Sequence, residues 1–112
     1  MKIHFSVKGI DLTRDLEKYT NHKLTRITRR IPRKLRTAAG YDIAFACVTR
    51  RGEKLNTCTI KLTVDDVELK ASETTQHMYA ALDIATVQIE QQLKDRVRRQ
   101  FGGILRRHFR AG

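Results

Sequence analysis

The sequence predicts a two-layer α+β fold: a four-stranded sheet with both helices on one face, in the order β-α-β-β-β-α. Three observations carry this. Two stretches space apolar residues three or four apart, as a helix with one buried side requires. Four stretches alternate apolar and polar residues or continue such an alternation, as half-buried strands do. The two helical stripes and the single apolar sheet face are buried most economically by laying both helices on that face. The chain has 112 residues, which is one domain burying roughly two-thirds of its unfolded surface.

The first strand covers residues 1–7, with Ile3, Phe5 and Val7 on one side and Lys2, His4 and Ser6 on the other. Lys8-Gly9 ends it. Thr13 suits the N-cap of the first helix, with Asp15 and Glu17 near the positive end of its dipole. Leu16, Tyr19, Leu24, Ile27 and Ile31 form its apolar side. Pro32 restricts Ile31, so the helix is expected to end near Arg30. Residues 33–40 read as a basic linker and residues 41–50 as the second strand. A four-residue turn at 51–54 would set Arg50 against Leu55 and Cys47 against Cys58. Both cysteines are then expected to be small buried thiols rather than a redox pair.

Residues 55–64 give the third strand, with Cys58, Ile60, Leu62 and Val64 on one face. Asp65-Asp66 is a two-residue hairpin loop, placing Val67, Leu69 and Ala71 opposite Val64, Leu62 and Ile60. Thr74 or Thr75 can cap the second helix. Its apolar stripe is Met78, Leu82, Ala85, Ile89, Leu93 and Val97. Gly102-Gly103 should break that helix, dividing a domain at 1–101 from a flexible basic tail at 102–112.

Charge is the strongest functional clue. The formal net charge is +11 at pH 7, which favours a polyanionic partner. Lys23, Arg26, Arg29, Arg30, Arg33, Lys34 and Arg36 follow one another with no acid among them. Lys94, Arg96, Arg98, Arg99, Arg106, Arg107 and Arg110 share their region with the single acid Asp95. Each cluster starts in the C-terminal half of a helix. Helix-dipole complementarity, at about 0.3–1 kcal/mol per cation, explains one or two residues per helix but not seven. Arginine predominates, which suits bidentate phosphate contacts. A membrane-surface helix would need large apolar residues free to enter lipid. Here the sheet needs those stripes, and there is no Trp. Nucleic acid is therefore the expected partner. Phe5, Phe45, Tyr19 and Tyr79 read as structural, so RNA is expected to be recognised by phosphate and shape rather than by base stacking.

Nothing in the chain forms a catalytic or metal-ligating constellation. His4, His22, His77 and His108 lack ligand spacing, and no nucleophile motif or phosphate-cradling loop is present. A binding protein is expected, with no enzyme activity, no cofactor, no metal and no small-molecule substrate. No apolar run approaches the roughly 20 residues of a membrane span, and the alternating N-terminus lacks a signal-peptide core. A cytoplasmic address follows, or an organelle if a transit peptide has been removed.

Ala71-Ser72 followed by His77-Met78-Tyr79-Ala80-Ala81-Leu82-Asp83 resembles the ribosome hibernation-promoting factors, also called ribosome-associated inhibitors or sigma-54 modulation proteins. The family pattern there is Asp-Met-Tyr-Ala-Ala-Ile-Asp. Gln92-Leu93 with Lys94 and Arg96, and Thr13, Leu16, Lys23 and Arg26, are similar to family positions. His77, Gln88 and Gln91 depart from it. The likeness covers about the first hundred residues, as in a short form of the family. It implies binding to the small ribosomal subunit in the mRNA channel, over the tRNA sites, and silencing of translation under stress or in stationary phase. The candidate RNA-binding residues are Lys23, Arg26, Arg29, Arg30, Arg33, Lys34, Lys94, Arg96, Arg98 and Arg99, on a chain expected to be monomeric when free. The alternative is a generic module for structured RNA, since the last five elements, α-β-β-β-α, have a layout similar to double-stranded-RNA-binding domains.

Overall fold

The computed structural model describes residues 2–97 and Arg99. The chain runs β1 (Lys2–Lys8), α1 (Arg14–Thr28), a 3₁₀ helix (Arg33–Ala38), β2 (Ala39–Arg50), β3 (Glu53–Val64), β4 (Val67–Thr75) and α2 (Met78–Arg96). One sheet holds the strands in the order β1-β2-β3-β4. β1 and β2 are parallel and the other pairs antiparallel. Both helices cover the same face, as expected. The expected break at Gly102-Gly103, the tail and Arg98 lie outside the described residues.

The core follows the apolar patterns. Met78, Leu82, Ala85, Ile89 and Leu93 of α2 are buried on β3 and β4, and Val97 is half-buried. Leu16, Leu24 and Ile27 of α1 join the same core. The Thr13 hydroxyl accepts the Leu16 N–H at 3.1 Å, so the expected N-cap of α1 is present. The β3–β4 register is also as expected, with Val64, Leu62 and Ile60 facing Val67, Leu69 and Ala71. Asp65 takes the left-handed backbone at the turn, with φ of 56°. The sheet's other face is polar. There the Thr57 and Thr74 hydroxyls pair at 2.8 Å, and those of Thr59 and Ser72 at 2.9 Å.

Four expectations need correction. First, α1 stops at Thr28; Arg30 and Ile31 tighten into i→i+3 bonds to Ile27 and Thr28. Second, the expected linker is a 3₁₀ helix that buries Leu35, and β2 begins at Ala39. An apolar residue every third position was too short a signal among so many cations. Third, neither Thr74 nor Thr75 caps α2, because β4 runs through Thr75. His77 holds the N-cap position without a side-chain bond, and the Thr75 hydroxyl instead accepts the His77 N–H at 3.1 Å.

The fourth concerns the β2–β3 turn. It has two residues, Arg51 and Gly52, with Arg50 facing Glu53. Both turn residues have positive φ, 52° and 80°, as a type I′ hairpin demands. The shorter loop moves the register, so Cys47 faces Asn56 and Cys58 faces Phe45. The two cysteines are free thiols, Cys47 half-buried and Cys58 buried.

Gly9 fixes where β1 ends. Its φ is 73°, and a Cβ there would lie 2.2 Å from the Cys47 carbonyl oxygen. Gly9→Ala is expected to destabilise the fold by more than about 1 kcal/mol, measurable by urea titration. Leu82→Ala, which would empty a fully buried site, should cost roughly 2–5 kcal/mol. Burial pushes the Cys58 thiol from 9.0 and the Tyr41 phenol from 10.0 up to about 12. The unfolded chain ionises these groups first, so stability should fall as pH rises from about 9 towards 12. At pH 8, iodoacetamide should label Cys47 in the native protein and spare Cys58 until it unfolds; equal labelling would contradict this burial.

Candidate nucleic-acid interface

A seam between the helices sets the geometry. The Tyr19 and Tyr79 rings meet edge to face, with centroids 5.1 Å apart. One turn on, Lys23 Nζ lies 3.2 Å from Asp83 Oδ1. Further along, Arg30 Nε lies 3.2 Å from Glu90 Oε2. Each pair has the same sequence offset, so α1 and α2 run parallel and in step. Their C-terminal ends, which carry the two basic clusters, therefore finish side by side.

Asp83 is the hub of this seam. Its Oδ1 accepts the Tyr19 hydroxyl at 2.6 Å as well as facing Lys23. That hydrogen bond raises the Tyr19 pKa above its usual value. The Lys23 ammonium also stands 5.3 Å from the centre of the Tyr19 ring, a cation–π distance. The bonds are partly exposed, so each ion pair stabilises little, about 0–1 kcal/mol. Their effect is to fix which helix turns meet.

The expected site residues now divide by what holds them. Lys23 and Arg30 are spent partly on Asp83 and Glu90. Arg26, Arg29, Arg33, Lys94 and Arg99 are exposed and their side chains make no hydrogen bond or ion pair to described residues. Lys34 and Arg96 are exposed and engaged by other groups. Arg36, counted with the basic cluster, serves the fold: its Nε donates to the Ile31 carbonyl at 3.0 Å and its Nη2 to the Arg29 carbonyl at 2.7 Å. It ties down the segment between α1 and the 3₁₀ helix, whose carbonyls it satisfies.

Between the helix ends lies a groove of about 730 Å³, lined by Arg30, Leu93, Lys94, Asp95, Val97 and Arg99. Its floor is apolar and its rim mostly cationic. Helix C-termini present carbonyls, whose partial negative charge repels anions. Any phosphate bound here must be held by long side chains reaching past those carbonyls. Arginine and lysine can do that.

Tyr79 does not behave as a buried packing residue. It is 43% exposed, and Ile84 (41%) and Val87 (52%) continue an apolar outer side of α2. This helix is thus apolar towards solvent as well as towards the sheet. The repeat of i,i+4 partners in both helices, Tyr19 with Lys23 and Tyr79 with Asp83, was the available signal for the seam. It could be interpreted only once the two helices were known to be parallel. Among the described residues no His, Cys, Asp and Glu gather into a possible metal site. No described helix is long and apolar enough to cross a membrane.

Comparisons with known proteins fit this architecture. Among solved structures, a ribosomal subunit interface protein from Coxiella burnetii superposes with a TM-score of 0.69 at 22% identity, covering 85% of this chain and 96% of that one. The N-terminal domain of Protein Y from Thermus thermophilus superposes with a TM-score of 0.70 at 19% identity, covering 85% and 98%. At such identities the likeness establishes the fold. No curated protein sequence matches significantly. Residues 3–100, nearly the whole described chain, match the family described as sigma 54 modulation protein / S30EA ribosomal protein. The chain belongs to that family of ribosome-associated, non-catalytic factors.

Proposed function

We propose that this protein binds the small ribosomal subunit and silences translation by occupying the mRNA channel and the tRNA sites. The observation that carries the reading is the parallel pairing of α1 and α2, which merges two basic clusters into one surface. Unpaired Arg26, Arg29, Arg33, Lys94 and Arg99 would neutralise rRNA phosphates there, with Lys23, Arg30, Lys34, Arg96 and Arg98 adding to the field. Silencing is by occlusion: a folded domain in the channel excludes mRNA and tRNA. Such an inhibitor suits stress or stationary phase, in the cytoplasm, and acts as a monomer. The family's ribosome association supports the ribosome over a generic duplex RNA.

Three measurements test this. Binding to purified small subunits should weaken with salt by roughly 0.7–0.9 log units per decade for each phosphate neutralised. It should also persist against excess duplex RNA; equal competition would favour a generic RNA-binding module. Arg26→Glu, Arg29→Glu, Lys94→Glu and Arg99→Glu together should abolish co-sedimentation with small subunits while leaving the circular-dichroism spectrum intact. Retained binding by the folded variant would show that another surface makes the contact.

A further inference from the structure

The sheet carries a second basic feature, at the opposite end from the helix termini. The β1 ladder stops at Ala46 and the β4 ladder at Asn56. Beyond them, Val48 pairs with Leu55, Thr49 with Lys54 and Arg50 with Glu53, with no flanking strand on either side among the described residues. This is a two-stranded arm, closed by Arg51-Gly52. Gly9, packed on the Cys47 carbonyl, braces its root.

The arm ends in Arg50, Arg51 and Lys54, all exposed and making no ion pair or hydrogen bond to described residues. Glu53 is its one acid. Charge at a hairpin tip can simply keep a strand edge soluble, but either sign would serve. On a chain already at +11, added cations cost repulsion, and the opposite sign would be the cheaper choice. The turn also places an arginine, not Gly or Asn, at a φ of 52°. A strained residue at a protruding tip points to a function.

Position matters as much as charge. The Gln88 Nε2 donates to the Glu73 carboxylate at 3.1 Å, and the Gln92 Nε2 to the Lys70 carbonyl at 2.9 Å. α2 therefore runs antiparallel to β4, and its last turn lies near the end of the sheet where β2 begins. β2 has 12 residues, and at about 3.3 Å each the arm tip stands roughly 40 Å from that end. One RNA helix contact does not cover both places.

We propose that the β2–β3 arm is a second rRNA contact, in which Arg50, Arg51 and Lys54 neutralise backbone phosphates of a segment distinct from the one gripped at the helix ends. The protein would then bridge two rRNA elements. Bridging fixes its orientation in the channel, which a single charged surface does poorly. This inference rests on the small-subunit reading above.

The test combines Arg50→Gln, Arg51→Gly and Lys54→Gln in the full chain. Glycine suits the positive φ, so the variant should melt no lower than wild type. On purified small subunits, the slope of log affinity against log salt should shrink by roughly two to three units, at about 0.7–0.9 per lost phosphate contact. The rRNA footprint should lose one protected segment and keep the other. An unchanged slope and footprint, with wild type binding normally, would overturn the arm contact and leave the ribosome reading standing. A cross-link from the arm to a ribosomal protein, with no loss of rRNA protection, would also overturn it. If wild type failed to bind small subunits, the ribosome reading would fall and the arm proposal with it.

Discussion

The parallel register of α1 and α2 is the constraint on which the rest depends. Parallel helices place their C-termini together, and in this chain both C-termini are cationic. Bringing those cations together is unfavourable in itself. The cost is met by apolar burial, chiefly Leu24 and Ile27 from α1 and Leu82, Ile89 and Leu93 from α2. The seam at Tyr19–Tyr79, Lys23–Asp83 and Arg30–Glu90 contributes little energy. It selects one register among those that the apolar stripes alone would tolerate. Asp83, by accepting from Tyr19 while facing Lys23, ties two turns of α1 to one carboxylate.

Electrostatics then acts in layers. Arg36 donates to the Ile31 and Arg29 carbonyls beyond α1, Asp83 and Glu90 hold the inner cations, and Arg26, Arg29, Arg33, Lys94 and Arg99 have no side-chain partner among the described residues. A polyanion that arrives at this end relieves repulsion as well as forming contacts. Because helix C-termini offer carbonyls rather than N–H groups, the surface is built from side chains alone. Such a surface suits the proposed recognition of RNA by phosphate spacing and shape.

Much of this was legible in the sequence. Alternation at Cys58-Ile60-Leu62-Val64 with the Asp65-Asp66 turn gave the hairpin and its register, because a one-residue slip would have exposed the whole face. The helix stripes gave the two-layer packing. The two-residue β2–β3 turn is hard to read because arginine is an unusual residue at positive φ, and the partners of Cys47 and Cys58 depend on that turn. The 3₁₀ helix was hidden by charge around Leu35. The basic clusters were visible as composition, but their division into capping, paired and unpaired cations needed three-dimensional neighbours. Tyr79 is structural, as its motif suggests, packing edge to face on Tyr19; unlike its buried neighbours Met78, Ala81 and Leu82 it stays exposed, which the motif does not reveal.

The central claim is that the two helix ends act as one RNA-binding surface. The most direct measurement is a comparison of rRNA footprints on small subunits for two folded variants, Arg26→Ala with Arg29→Ala on α1, and Lys94→Ala with Arg99→Ala on α2. If the surface is single, both variants weaken protection within the same contiguous patch of rRNA. Losses at two well-separated patches, or no change in either, would contradict it.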